Sequence, residues 1–397
     1  MRARRLAPAG ALFLAALALR PQLVGVGPLI PRIQSDLGVS HAVAGLLGAI
    51  PVLCMGIFAL PARHLARRLG SRQAIAGSLG CVAAFGVVRC LVPGAPLVIL
   101  LTVPVGVGMG LAGALLPIAV KERFPHRPAF ATGIYATGIS SGAAVSAAVA
   151  APFAGALWGW RASLLIFSLV TALLVPLWLR LADERPADEV APAAHRLPWS
   201  SGLVWRLVGT FGLMSVTYYG LNSWLPDSYV ERGWSEGSAG ALLAVINVAS
   251  LPPTLLVPWL ADRGRSRRTY LLAGGATLVV GTLGLVLLPG AGWVLAAVVG
   301  VSFGALFPMV MTLPLDLSDR PERVGAVAAM MLGAGYGLSG TAPFVLGAVR
   351  DATGSFTTAL WLLVGAAALL TALSATLSPR HLRPGRSGAD VVAVGPV

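Results

Sequence analysis

Apolar residues run along this chain in long blocks parted by short polar turns. Twelve blocks can be drawn, at about 8–30, 42–62, 73–92, 97–120, 130–154, 161–181, 204–225, 237–260, 269–289, 293–315, 325–349 and 357–378. Each is long enough to cross a hydrocarbon layer, which takes about 20 residues at a helical rise of roughly 1.5 Å. The pattern therefore predicts an all-α membrane protein of twelve transmembrane helices. The first residues, MRARRLAPAGALFLAALAL, imitate a secretory leader. Arg20-Pro21 and more apolar sequence follow instead of a small-residue cleavage site, so the segment reads as a retained first span.

The one long polar stretch, LADERPADEVAPAAHRLPWSSG at 181–202, has the Pro, Ala and acid content of a linker. It predicts a six-helix bundle over 1–181, a linker over 182–203, a second six-helix bundle over 204–380 and a tail over 381–397. The bundles look duplicated. At an offset of 195, Pro31, Gly38, Ser40 and Gly45 fall on Pro226, Gly233, Ser235 and Gly240, Ser71-Arg72 on Ser266-Arg267, and Gly159 on Gly354. Duplication in a polytopic chain points to a transporter with its site near the midplane.

Charge then sets the orientation. Formal net charge is +14, which alone would suggest nucleic acid. Yet 23 of the 29 Lys and Arg fall in the tails and alternate loops that share one side. That is the positive-inside asymmetry. It predicts a multi-pass protein of the cell membrane with both termini cytoplasmic, and excludes nucleic acid as the partner. Composition agrees, with 56% hydrophobic residues, 11% charged and a mean hydropathy of +0.82. Cys54, Cys81 and Cys90 all lie in apolar segments, which argues against a disulfide framework or a metal site. No span holds a His-Glu-x-x-His element or a pair of Asp residues, and the five histidines read as loop or terminal residues. The expectation is a monomeric non-enzyme, without cofactor, acting on a small-molecule substrate in a bilayer.

Candidate chemistry is sparse. Arg20 is a charge near the middle of the first block, where a guanidinium costs at least ~2.5–3.5 kcal/mol. Pro21 beside it favours an irregular helix. Arg20 reads either as a group facing a central cavity or as one held by helix carbonyls for packing alone. Tyr135, Tyr219, Asn222, Asn247 and Tyr336 are further candidates for substrate contact, each equally readable as a helix–helix hydrogen bond. Tyr218 and Ser223 share the seventh block. Arg89, four residues before Pro93, is expected to snorkel to the surface, and Trp224 to anchor at the interface. GMGLAG (108–113) and GYGLSG (335–340) fit a dinucleotide pattern but sit in apolar spans, where they predict close helix packing. Asp227 is assigned to an outer turn and Asp316 to a solvated inner helix end. A cavity with a fixed positive charge and no carboxylate would suit facilitated diffusion, anion exchange, or symport of a substrate that carries the proton.

The loops after the second and eighth blocks, HLARRLGSRQ (64–73) and WLADRGRSRR (259–268), resemble the short basic loop of the major facilitator superfamily. In that family the acidic residue latches the inner gate, so the resemblance implies gating roles for Asp262, Arg263, Arg72 and Arg267. Arg67 stands where the first copy's Asp is expected. A narrower resemblance runs through LALRPQLVGVGPLIP, LLPIAVKERFPHR, YYGLNSWLPDSYVERGWS and GYGLSGTAPFVLGAVRDATGSF. These segments look like the cyanate/2-nitroimidazole transporter family, with Ala18 replacing an Asn of its first-span element. The resemblance implies two pseudo-symmetric bundles and rocker-switch alternating access. It implies a small polar or anionic solute such as cyanate, nitrate or a nitroimidazole. An exporter of neutral drug-like compounds, with Arg20 structural, is the alternative.

Overall fold

The computed structural model describes residues 2–124, 128–182, 197–261, 266–317 and 321–377, and all regular structure among them is helical. Ten helices are long and apolar enough to cross a membrane. One of these, His41–Leu91, is 51 residues long and leaves helical geometry at Gly70, with φ 75° and ψ 154°. Only glycine enters that region without strain, so the helix supplies two spans, 41–69 and 71–91. Gly202–Val230 is a further long helix, whose Tyr, Asn, Ser and Asp residues dilute its apolar content. Among the described residues the count is then twelve.

Span 1 is a chain of short pieces: Arg2–Ala18, Pro21–Val24, a 3-10 turn Gly27–Leu29, and Ile30–Leu37. Spans 4 to 6 are Ala95–Arg123, Pro128–Ala156 and Trp160–Leu181, and span 7 is Gly202–Val230. Spans 8 to 12 are Glu236–Ala261, Arg267–Leu287, Gly292–Asp316, Pro321–Thr353 and Phe356–Ala375.

The duplication is physical. Gly38 and Gly233, and likewise Gly159 and Gly354, are left-handed turn glycines 195 residues apart. Ser40 and Ser235 each accept a main-chain N–H three residues on, capping spans 2 and 8. Small residues set the close crossings. Gly138 and Gly142 of span 5 leave no room for a Cβ against the carbonyls of Phe13 and Leu17 in span 1. Gly108 and Gly110 of the GMGLAG string pack on the backbone of Ser78 and Cys54 in the same way. Gly27 lies on the Asn222 carbonyl, so the two bundles touch backbone to backbone beside the break in span 1.

Trp224 departs from its expected place at the interface. It is 1% exposed and donates its indole N–H to the Pro343 carbonyl at 2.7 Å. A buried indole N–H needs such an acceptor.

Candidate functional site

Span 1 breaks at Arg20. Its backbone serves as the N-cap position of the piece Pro21–Val24, with Pro21 at N1, where the missing proline N–H costs nothing. The break turns a half-buried guanidinium toward span 7. Among the described residues its one hydrogen bond runs from Nη1 to Tyr219 Oη at 3.3 Å, across the two bundles. Among the described residues Tyr218, Tyr219 and Tyr336 lie within electrostatic range of the charge, and no carboxylate does. The phenols form an edge-to-face group: Tyr218 and Tyr219 rings are 5.2 Å apart, and Tyr219 and Tyr336 rings 6.4 Å. Phe211 and Phe303 brace it from behind at 5.0 Å from Tyr336 and 5.2 Å from Tyr218.

The other predicted residues divide. Tyr135 of span 5 reaches the neighbourhood of Tyr336. Asn222 is buried one turn above Tyr218 and donates Nδ2 to that residue's carbonyl at 2.7 Å, while its Oδ1 accepts nothing. Asn247 stands behind the phenols, donating to the Leu243 carbonyl at 2.7 Å and accepting from Tyr218 Oη at 2.9 Å. Its contact with this site is therefore through Tyr218.

Arg89 corrects the snorkelling expectation. It is 1% exposed, and donates Nη2 to Gln22 Oε1 at 2.7 Å and Nη1 to Thr102 Oγ1 at 3.2 Å. Gln22 is fully buried and passes the network on, donating Nε2 to Ser168 Oγ at 2.8 Å. Gln22 sits two residues past Arg20, so a second charge inside the membrane grips the broken piece of span 1. Sequence reading missed Gln22, whose signal was an amide placed directly after a midspan Arg-Pro.

Comparison with known proteins bears on what such a site serves. The Major Facilitator Superfamily profile matches residues 11–342. The chain belongs to the major facilitator superfamily. The cyanate transport protein CynX of Escherichia coli (strain K12) is 32% identical over 352 residues, covering 87% of this chain and 90% of that protein. The 2-nitroimidazole transporter of the same organism is 29% identical over 355 residues, covering 89% and 90%. Among solved structures, a D-xylose-proton symporter superposes with a TM-score of 0.77 at 17% identity, over 96% of this chain and 99% of that one. This chain is a membrane transporter of solutes, not an enzyme.

The superfamily's basic loops lie at the predicted inner end. Asp262 and Arg263 fall outside the described residues. Arg72 donates Nε to the Leu179 carbonyl at 3.1 Å, and Trp178 donates to the Arg72 carbonyl at 2.9 Å, tying the loop to span 6. Ser71 bonds Glu122 at the end of span 4, beside Arg123. In the second bundle Arg267 reaches the Thr312 carbonyl and Asp316, each at 3.1 Å. The Asp316 side chain is 2% exposed, which overturns its expected solvation: it is buried against Arg267, which supplies the countercharge.

Proposed function

We propose that this transporter moves a small polar or anionic solute, of the cyanate, nitrate or nitroimidazole kind, by rocker-switch alternating access about Arg20. The observation that carries the reading is a half-buried guanidinium that, among the described residues, meets the opposite bundle through one phenol and no carboxylate. A guanidinium offers five donors in a planar fork, so an anion with two adjacent acceptors suits the remaining ones. Tyr219, Tyr336 and Tyr135 would supply phenol donors around it and Asn222 an acceptor, while Asn247 holds Tyr218 in place. The bundles over 1–181 and 204–380 would rock as units, with both termini cytoplasmic and the monomer as the working form. Asp262 and Arg263, with Arg72 and Arg267 seating their loops, would close the inner end. The names of the cyanate and 2-nitroimidazole relatives agree with the solute class.

The test is thermal-shift titration of the purified protein with cyanate, nitrate, small carboxylates, 2-nitroimidazole and neutral drug-like compounds. Binding to the folded state alone raises stability by RT ln(1 + [L]/Kd), about 2.7 kcal/mol at a hundredfold excess over Kd. At least one small anion or nitro compound should stabilise the parent and fail with Arg20→Ala. Stabilisation by neutral drugs only, or equally in both proteins, would favour the exporter.

A further inference from the structure

The predicted outer end carries a titratable cluster that the transport site does not use. His41 opens span 2, in the first bundle, and faces two carboxylates of the second. Its Nδ1 is 2.7 Å from Asp351 Oδ1 in span 11, and its Nε2 is 3.8 Å from Asp227 Oδ2 in span 7. Asp351 also accepts the main-chain N–H groups of His41 at 3.0 Å and Ala42 at 2.8 Å, so it caps span 2 from across the interface. The rings of Trp224 and Phe356 flank the imidazole at 5.7 and 5.5 Å.

Asp227 is not in an outer turn as its sequence context suggested. The helix of span 7 runs on through Pro226 to Val230, leaving Asp227 8% exposed and its Oδ2 without a hydrogen-bond partner. The neighbouring charges are engaged with one another. Arg350 bonds Glu231 at 2.5 Å, Arg32 bonds Glu236 at 2.7 Å, and Arg161 bonds Asp36 at 3.1 Å. Toward spans 1 and 4, span 2 meets apolar side chains, with Ile33, Leu37 and Val98 around Val43 and Leu47. The charged groups facing His41 are thus Asp227 and Asp351, with the Glu231–Arg350 pair beyond them.

We propose that His41 is a proton-binding site whose occupancy latches the outer end shut. A neutral imidazole can donate from one ring nitrogen only, so one of the two carboxylates faces a bare nitrogen lone pair. The imidazolium donates to Asp351 and sets a positive charge 3.8 Å from Asp227. Imidazole and carboxylates sit on opposite bundles, so opening the outer end separates them. The closed form therefore binds the proton more tightly than the open form, and by linkage the proton favours closure. The sign follows: closure is favoured while the imidazole carries its proton and is lost as rising pH removes it. The latch rests on alternating access but not on Arg20 or on any substrate.

The experiment uses full-length protein in lipid nanodiscs without substrate. Cys54, Cys81 and Cys90 are replaced by alanine, and spin labels are placed on Ser35→Cys and Ala352→Cys, both exposed positions on opposite bundles. Distance distributions are recorded by pulsed electron resonance from pH 5 to 9. The long-distance population should rise severalfold with pH in the parent, and His41→Gln should lose most of that rise, any remainder belonging to the buried Asp227 carboxyl. Asp227→Asn should keep the transition but lower its midpoint by about one pH unit, since a nearby opposite charge favours the charged form. Melting and gel filtration check the fold, and if His41→Gln does not fold, the Asp227→Asn shift decides. An unchanged pH response in His41→Gln, an unmoved midpoint in Asp227→Asn, or a parent indifferent to pH would overturn the latch.

Discussion

Arg20 and Arg89 both lie deep in the spans, neither bonds a carboxylate among the described residues, and they are held in opposite ways. Arg89 is sealed inside the first bundle and bonded to Gln22 and Thr102, both neutral and both in that bundle. Arg20 is half-buried and reaches across the bundles to a single phenol at 3.3 Å. The first arrangement holds one shape; the second leaves donors over and sits where the two bundles meet. A charge buried without a countercharge is costly wherever it stands, so its hydrogen bonds tell what it is for. Arg89 braces the broken piece of span 1, and Arg20 is the group that piece presents.

That contrast can be broken first by stability. Arg89→Ala leaves buried Gln22 and Thr102 groups unsatisfied, a penalty of about 1–3 kcal/mol for each. It should lower the melting temperature by about 5 °C or more, read by differential scanning fluorimetry, whereas Arg20→Ala should move it by less than about 2 °C. Equal losses would erase the distinction.

A sharper form separates bracing from mere stability. Replacing the pair together, Gln22→Leu with Arg89→Met, exchanges a buried polar contact for an apolar one, a change that is often neutral in stability. Most of the lost melting temperature should return. KM for the transported solute should stay raised by about tenfold, because small misplacements of a binding group are costly. Recovery of both quantities would make Arg89 a packing residue alone.

Smaller effects are expected among the phenols. Asn247→Ala removes the acceptor that holds Tyr218 and should weaken solute affinity by about five- to tenfold, at the ~1 kcal/mol scale of one hydrogen bond. Tyr219→Phe removes the long contact to Arg20 and one phenol donor of the proposed site, and should cost about threefold in KM. An unchanged KM in Tyr219→Phe would take the solute off Tyr219.

Much of this architecture was legible in the chain, for reasons that differ by element. The spans follow from apolar block length, and the duplication from turn glycines such as Gly38 and Gly233, whose left-handed backbone restricts the residue. Arg20 stood out because its charge has no local excuse. Arg89 did not, because Pro93 nearby suggested an exit to water, while its partner Gln22 lies 67 residues away. Asp227 and Trp224 were misread for one reason: Pro226 looks like a helix end, but span 7 continues to Val230 and carries both inward. His41 looked like a loop residue because its partners, Asp227 and Asp351, lie far along the chain in the other bundle.

The central claim is that Arg20 holds the solute, and the most direct test is initial-rate counterflow in proteoliposomes with the anion that best stabilises the parent. Two charge-assisted hydrogen bonds are worth about 3 kcal/mol or more, so Arg20→Ala should lose at least about a hundredfold in kcat/KM. Arg20→Lys should recover little of it, because an ammonium lacks the planar fork. Transport by Arg20→Ala at the parent rate and affinity would contradict the account.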